Sequence, residues 1–189
     1  MKTFSENYSL NNKTLNKRYE KTLSFMSRHM SPPKTILDLG IDNPFAKIMR
    51  QNGFTVDNTK MNQDLDLDFD IVKDPSYNVV TAFEIFEHLV APLNLLMVIA
   101  APVLIASVPL KLWFANAYWN DDDPWDRHYH EFEPKQFDML LDKAGWDIVH
   151  SEKWKSPTFK LGLRPLLRRI TDRYYIVYCM RKSDSPTSF

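Results

Sequence analysis

Residues 36–44 constrain the fold of this chain more than any other segment. Apolar, β-favouring residues surround Asp38 and indicate a buried strand. Gly40 follows, and the pair Asn43 and Pro44 is suited to cap and open a helix. A strand, a glycine turn and a helix in this order are typical of the first unit of a nucleotide-binding sheet. The segment therefore predicts an α/β protein.

Composition fits one folded domain. The chain has 189 residues, of which 44% are apolar and 13% aromatic, and this is enough apolar material for one sizeable core. We therefore predict a single domain over residues 1–189. It would have an N-terminal helix at about 13–30, a core over about 35–181 and a tail at 184–189.

Charge and cysteine content indicate which partners and which cellular compartment to expect. Lys plus Arg and Asp plus Glu each number 24, so the formal net charge is zero, and no global basic field indicates nucleic acid or membrane. Cys179 is the only cysteine, which excludes an internal disulfide and fits a reducing compartment. Residues 1–10 lack the apolar core of a signal peptide. We expect a cytoplasmic location.

Residues 89–110 contain no charged side chain and are long enough to span a bilayer. Prolines at 92, 102 and 109 interrupt the segment. It divides into a helical piece at 93–99 and a β-branched run at 103–108. We therefore predict a buried helix and a central strand, without a membrane span.

Strands and helices are expected to alternate along the chain, which predicts a mostly parallel sheet covered by helices on both faces. Apolar periodicity predicts helices at 13–30, 44–51, 84–99, 134–144 and 161–171. It predicts strands at 35–39, 54–59, 65–71, 78–83, 103–108, 146–152 and 173–181.

Four aspartates alternate with apolar residues over 64–71, and they are Asp64, Asp66, Asp68 and Asp70. On a strand they would share one face. They would either bind a divalent cation or the adenine of a ligand, or protect an outer strand from edge pairing, and we favour protection.

Four segments follow one another in an order and spacing that are more specific than any one of them. They are 36–44, the Glu-x-x-Glu-His segment at 78–89, the strand ending in Ser-Val-Pro at 103–109, and His-Glu-Phe with its following helix at 128–146. With these segments the chain resembles class I S-adenosylmethionine-dependent methyltransferases, particularly the branch of ubiquinone-biosynthesis O-methyltransferases.

This resemblance implies a Rossmann-like, seven-stranded, mostly parallel sheet with a C-terminal antiparallel hairpin strand. It also implies that S-adenosylmethionine binds at the carboxyl ends of the first strands. The acceptor would be a small molecule, aromatic or hydroxyl-bearing. The residues that the resemblance places at the cofactor are Asp38, Gly40, Asp42, Lys60, Phe83 and Glu84.

Three positions depart from the family pattern. Asp42 and Pro44 occupy places where such turns usually leave backbone open to the ligand. Lys60 stands where the family has a carboxylate that holds the ribose, and an ammonium cannot accept hydrogen bonds from hydroxyls. Asp57 or Asp64 would replace it if the register differs by a few residues. The alternative function is therefore a non-catalytic binding module with a degenerate cofactor site.

A divalent metal site is the second expectation. Glu84, Glu87 and His88 lie at i, i+3 and i+4, which places them on one face of a helical turn. With His130, or His128, they resemble the metal-binding set of small-RNA 3'-terminal 2'-O-methyltransferases. The candidate catalytic residues are Glu87, His88 and His130. The alternative, which we favour, is that the acidic turn only caps and packs.

Two further groups concern the acceptor. Aromatic side chains after the fifth predicted strand indicate an acceptor pocket, or else a hydrophobic cap or dimer surface. These are Trp113, Phe114, Tyr118, Trp119 and Trp125. A basic stretch could bind phosphate of a ligand or RNA, although a charged surface helix explains most such runs. It comprises Lys153, Lys155, Lys160, Arg164, Arg168, Arg169 and Arg173.

Overall fold

A computed structural model of the protein describes residues 13–123, 125–155 and 162–183. Its centre is one six-stranded sheet with the order β2-β1-β3-β4-β6-β5. The strands are β1 (Thr35–Asp38), β2 (Thr55–Asn58), β3 (Val79–Phe83), β4 (Val103–Pro109), β5 (Trp146–Lys155) and β6 (Asp172–Arg181). The helices are α1 (Lys13–His29), α2 (Pro44–Gln51), α3 (Pro92–Val98), α4 (Pro134–Lys143) and α5 (Leu163–Ile170).

The sheet is parallel on one side and antiparallel on the other. β1 pairs in parallel with β2 and β3, and β3 pairs in parallel with β4. β6 runs antiparallel between β4 and β5. The predicted α/β class, the mostly parallel sheet and the C-terminal antiparallel hairpin are confirmed, whereas the predicted count of seven strands is wrong.

The missing strand is the one predicted at 65–71. This segment forms turns followed by a 3₁₀ turn at Asp70–Lys73. Asp64 Oδ1 accepts from the amide of Asp66 at 3.0 Å, and Asp68 Oδ1 from the amide of Asp70 at 3.2 Å. Such local bonds give the backbone an alternative to a strand ladder. Because no strand forms, the four aspartates do not share a strand face, and the interpretation that they protect an outer strand is wrong. Their binding of a cation or adenine stays a prediction.

The helix predicted at 84–99 is divided in two. A 3₁₀ turn spans Phe86–His88, and α3 begins only at Pro92. Proline disfavours helical backbone at the residue before it, and Ala91 has φ −131° and ψ 63°. Asp66 accepts from the amides of Val90 and Ala91, both at 2.9 Å, and so satisfies the backbone at this break.

The remaining predicted helices are found within one or two residues of their expected ends. The predicted strands at 146–152 and 173–181 form a longer hairpin than expected, since β5 continues to Lys155. Residue 161, at the start of the predicted helix at 161–171, and the predicted tail at 184–189 lie outside the described residues. Within the part of the chain that the structure describes, no helix is long and apolar enough to cross a membrane.

Two buried clusters lie on opposite faces of the sheet. One contains Phe25 and Met26 of α1 and Met49 of α2, packed on Ile36 and Ile176. The other is formed by α3 and α4, and its members include Leu95, Leu96, Phe137, Leu141 and Trp146. Helices cover both faces, as predicted.

The carboxyl ends of β1, β3 and β4 meet at one edge of the sheet, which we call the carboxyl edge. Because β6 is antiparallel to β4 and pairs Tyr174 with Pro109, β6 begins at this edge. β5 ends there for the same reason, with Trp154 opposite Tyr174. The turns after three parallel strands therefore lie near the end of β5 and the start of β6.

Asp38 at the end of β1 makes stability depend on pH. Burial raises its pKa from 3.8 to about 7, so between these values the folded protein keeps a proton that the unfolded chain releases. The free energy of unfolding should therefore fall as pH rises from about 4 to about 7. At ~1.4 kcal/mol per pKa unit, this single group accounts for about 4 kcal/mol. In Asp38→Asn we expect a shallower slope, measured by urea denaturation across this range.

Asp57→Asn is the matched control, because Asp57 lies on the neighbouring strand but is exposed. It should keep the wild-type slope. Some slope will remain in Asp38→Asn, since burial also raises the pKa of Glu84 and Glu87. A slope equal to that of the wild type in Asp38→Asn would contradict the assignment.

Candidate functional site

The turn after β1 keeps the shape expected of a ligand-binding loop at Gly40. Its φ is +122°, a conformation that L side chains rarely adopt, and a Cβ there would lie 3.4 Å from Ile85 Cδ1. The Gly40 amide donates to Thr59 Oγ1 at 2.7 Å. The turn is thus fixed by the residue that follows β2, and it adjoins the segment after β3.

The Asp38 carboxyl group connects neighbouring strands at this edge through hydrogen bonds. It is buried, and it accepts hydrogen bonds from Thr81 Oγ1 at 2.6 Å and from Asn58 Nδ2 at 3.1 Å. Burial dominates over these bonds and raises its pKa to about 7. The structure therefore places Asp38 beneath the turn, where it joins three strands.

Asp42 and the start of α2 are satisfied within the protein. Arg50 Nη1 lies 2.6 Å from Asp42 Oδ1, and its other nitrogens donate to Val56 O. Asn43 Oδ1 accepts from the amides of Phe45 and Ala46 at 2.8 and 3.1 Å, which is the predicted N-cap. Asp42 therefore points along α2, and the amides that would bind an anion at the helix start are engaged.

The residues considered for the ribose contact lie at or shortly after the end of β2. β2 ends at Asn58, and Lys60 follows two residues later as an exposed side chain. Asp57 accepts a hydrogen bond from the Tyr77 hydroxyl at 3.1 Å. Asp64 accepts one from the amide of Asp66, within its own turn. Each of the two carboxylates considered as a replacement for the ribose contact is thus engaged elsewhere.

Glu84 has strained backbone directly after β3. Its φ is +59°, in the left-handed region that residues other than glycine rarely occupy. Ser107 of β4 holds it, because its carbonyl accepts from the Glu84 amide at 2.9 Å and its hydroxyl donates to Glu84 Oε1 at 3.0 Å. Backbone strain of this kind clusters at functional sites.

Arg18 of α1 pairs with Glu84, and the sequence reasoning missed it. Its Nη1 lies 3.5 Å from Glu84 Oε2, and its guanidinium lies over the Tyr174 ring. Burial raises the pKa of Glu84 despite this partner. No local pattern could have identified Arg18, because the residues are 66 positions apart and α1 carries several similar basic side chains.

Phe83, the other residue predicted near the cofactor, ends β3. Its ring packs edge-on against Phe45 of α2, with ring centroids 5.3 Å apart, and Phe45 in turn stacks on Tyr19 of α1 at 5.1 Å. These aromatic contacts connect α1, α2 and β3 below the turn.

Glu87 is a buried carboxyl group without a hydrogen-bond partner. It is 1% exposed, and neither side-chain oxygen has a hydrogen-bond partner among the described residues. Burial, and then repulsion from Glu84, raises its pKa well above the ordinary value. An unpaired buried polar group is costly, so such a group calls for an explanation.

Two imidazoles lie beside Glu87. His88 Nε2 is 3.8 Å from Glu87 Oε1, and the rings of His88 and His128 meet edge to face at 4.9 Å. His88 Nδ1 is 3.0 Å from Arg127 O, and His128 Nδ1 is 3.2 Å from Glu131 Oε1. Since both partners accept, Nδ1 is the donor in each ring, and each neutral ring keeps an Nε2 lone pair.

The structure brings together only two of the four residues of the predicted metal set, Glu87 and His88. Glu87, His88 and His128 each offer one ligand atom, and these atoms lie within 4.8 Å of one another. Glu84 is held instead by Arg18 and Ser107. His130 donates from Nε2 to Val90 O at 3.3 Å and stacks on Phe132. Because His130 faces away, His128, the alternative considered from sequence, takes its place, and we call Glu87, His88 and His128 the acidic-imidazole cluster.

The tryptophans of the segment after β4 are largely exposed. Trp113 is 75% exposed, Trp119 52% and Trp125 63%. A groove of about 490 Å³ lies between the start of α3 and residues 129–132, with apolar walls that include Pro92, Phe132 and Leu140. Glu131, which bonds His128, also lines it.

A family model described as a methyltransferase domain matches residues 12–151. A search of curated proteins found no matching relative. Among solved structures, an S-adenosylmethionine-dependent methyltransferase from Archaeoglobus fulgidus is similar with a TM-score of 0.64 and 14% identity, covering 94% of this chain and 98% of that one.

A second similar structure is the 1,6-didemethyltoxoflavin-N1-methyltransferase of Burkholderia thailandensis, with 1,6-didemethyltoxoflavin and S-adenosylhomocysteine bound. Its TM-score is 0.61 at 15% identity, over 95% of this chain and 86% of that one. The match to the family model covers most of the chain, including the turn after β1 and the acidic-imidazole cluster. The chain therefore belongs to the methyltransferase domain family.

Proposed function

We propose that this protein is an S-adenosylmethionine-dependent methyltransferase that acts on a hydroxyl-bearing acceptor. The observation that carries the proposal is the acidic-imidazole cluster at the carboxyl edge. Glu87 and His88 follow β3 by a few residues, and in this family the segment after that strand lies near the adenosine or the transferred methyl group. A buried, unpaired carboxyl beside two oriented imidazoles is suited to acid–base chemistry.

Gly40, Phe83 and Glu84 would hold the cofactor. The residues fit, because the positive φ of Gly40 leaves the turn without a side chain and brings it against the segment that carries Glu84. When bound, the cofactor supplies an electrophilic methyl group on a sulfonium. The protein must then position the acceptor in line and exclude water.

His128 is the better candidate for the general base. Its Nε2 can take the acceptor proton, and the Glu131 carboxylate at Nδ1 would stabilise the resulting imidazolium. His88 is less suited to hold a proton, because burial lowers its pKa and its Nδ1 faces only a neutral carbonyl. We assign His88 and Glu87 to orienting the acceptor hydroxyl.

A divalent cation is a second hypothesis for the same cluster. Two imidazoles and one carboxylate suit a transition-metal ion such as Zn²⁺ or Mn²⁺. The hydrogen bonds at Nδ1 of His88 and His128 orient both rings so that each Nε2 would be free to bind the ion. A cation there would lower the pKa of an acceptor hydroxyl. It would also explain the unpaired Glu87 carboxyl.

Binding of S-adenosylhomocysteine should depend on Gly40. In Gly40→Ala the added Cβ strains the turn, at a cost of roughly 1–2 kcal/mol, and reshapes the ligand surface. We expect calorimetric titration to show binding to the wild type and at least about tenfold weaker binding to Gly40→Ala.

Gly53→Ala is the matched control, since Gly53 also has a positive φ, +89°, but lies at the end of α2. It should lose similar stability and keep its affinity. No heat of binding with the wild-type protein would contradict the proposal and favour the non-catalytic module.

Methyl transfer should depend on His128 and not on His130. Removing a general base typically slows catalysis by about 10² to 10⁴-fold, so His128→Gln should show such a fall in the formation of S-adenosylhomocysteine with a panel of small phenols. His130→Gln should stay within a few-fold of the wild type. Equal rates in the two variants would contradict the assignment.

Metal binding can be tested without an acceptor. We expect the wild-type protein to bind Zn²⁺ or Mn²⁺ in calorimetric titrations, and His128→Ala to lose this binding because a ligand is removed. His130→Ala should bind as the wild type does. Wild-type protein that binds neither ion would leave the cluster as an acid–base group only.

A further inference from the structure

Helix α5 presents an apolar face that stays exposed among the described residues. It spans Leu163–Ile170, and no residue in it is buried. Leu163 is 73% exposed, Leu166 54% and Ile170 65%. These residues are three, four and seven positions apart, so they lie on one face of the helix. An exposed apolar stripe of this kind marks an interaction surface.

Helix α5 is also basic. The helix carries Arg164, Arg168 and Arg169 and no acidic residue. Among the described residues, no carboxylate lies within 4.0 Å of Arg164 or Arg168. An apolar stripe beside arginines is typical of helices that lie in a membrane interface. This is the central part of the basic stretch seen in the sequence.

The topology places α5 at the carboxyl edge. It lies between the end of β5 and the start of β6, and both are at this edge. The chain that leaves β4 begins beside the start of β6, which directly follows α5, since the Leu110 amide donates to Arg173 O at 2.8 Å. That chain carries the exposed Trp113, Trp119 and Trp125 on the way to His128.

We propose that α5 and the tryptophan segment dock this edge of the protein on an anionic lipid membrane. The charge of α5 complements anionic headgroups, the apolar stripe inserts below them, and tryptophan is the residue enriched at the level of the headgroups. A helix of eight residues is only about 12 Å long. It offers too little area for a stable protein interface, which needs about 800 Å² per partner, whereas a lipid surface requires no shape complementarity.

Co-sedimentation of the full chain with lipid vesicles tests the proposal. We expect binding to vesicles of phosphatidylcholine and phosphatidylglycerol and little binding to phosphatidylcholine alone. Raising the salt concentration should weaken the binding, because the attraction to anionic lipid is screened. The assay requires neither cofactor nor acceptor, so its outcome is separate from that of the proposed methyl transfer.

Two double variants assign the binding to α5. Arg164→Glu with Arg168→Glu should weaken vesicle binding at least about tenfold, since each basic residue at a membrane surface contributes about 1 kcal/mol. Leu163→Ser with Leu166→Ser should also weaken it by removing inserted apolar area. The controls are Lys143→Glu and Met139→Ser on α4, which remove an exposed cation and an exposed apolar side chain elsewhere. Circular dichroism checks that each variant is folded.

Three results would overturn the proposal. They are wild-type protein that does not bind the anionic vesicles, folded α5 variants that bind as tightly as the α4 controls, and equal binding to neutral and anionic vesicles. Size-exclusion chromatography adds a fourth. A wild-type dimer that dissociates in the Leu163→Ser, Leu166→Ser variant, without vesicle binding, would assign this face to self-association instead.

Discussion

The buried carboxyl of Asp38 is the interaction on which the carboxyl edge depends. It joins the end of β1 to β3 through Thr81 and to β2 through Asn58. Asn58 also donates to Gly40 O, and Thr59 receives the Gly40 amide. The glycine turn is therefore shaped by the end of β2 through bonds that exist only when the three strands are in register. A carboxyl group that is costly to ionise is kept where it fixes the turn after β1.

A second constraint is the concentration of acidic groups at this edge. Glu84 and Glu87 lie three residues apart, both are buried, and burial raises the pKa of each. Arg18 of α1 pairs with Glu84, whereas both oxygens of Glu87 stay unpaired among the described residues. Helix α1 thus does more than cover one face of the sheet, because it supplies a charge that the site needs. Costly groups held in this way are typical of functional sites.

Prediction from sequence succeeded where the evidence was local. The strand and helix around Gly40 follow from apolar residues, Asn43 and Pro44, and all of these act within a few positions. The prediction of a strand at 65–71 was wrong. Alternation alone does not reveal that aspartates accept hydrogen bonds from nearby backbone amides, or that Asp66 accepts from the amides of Val90 and Ala91. The exchange of His130 for His128 is a similar failure. Two histidines in one loop differ in the direction of their side chains, and packing decides that direction.

The sequence by itself determined the α/β class, the parallel sheet with its antiparallel hairpin, and membership of the methyltransferase type, because short-range periodicity and ordered motifs suffice for these. Tertiary structure alone decided which side chains meet. It brought Arg18 to Glu84 and His128 to His88, turned Asp42 onto Arg50, and left the apolar face of α5 uncovered. The physical reason is separation along the chain. Contacts between distant residues depend on how the helices pack on the sheet, and no local pattern records that packing.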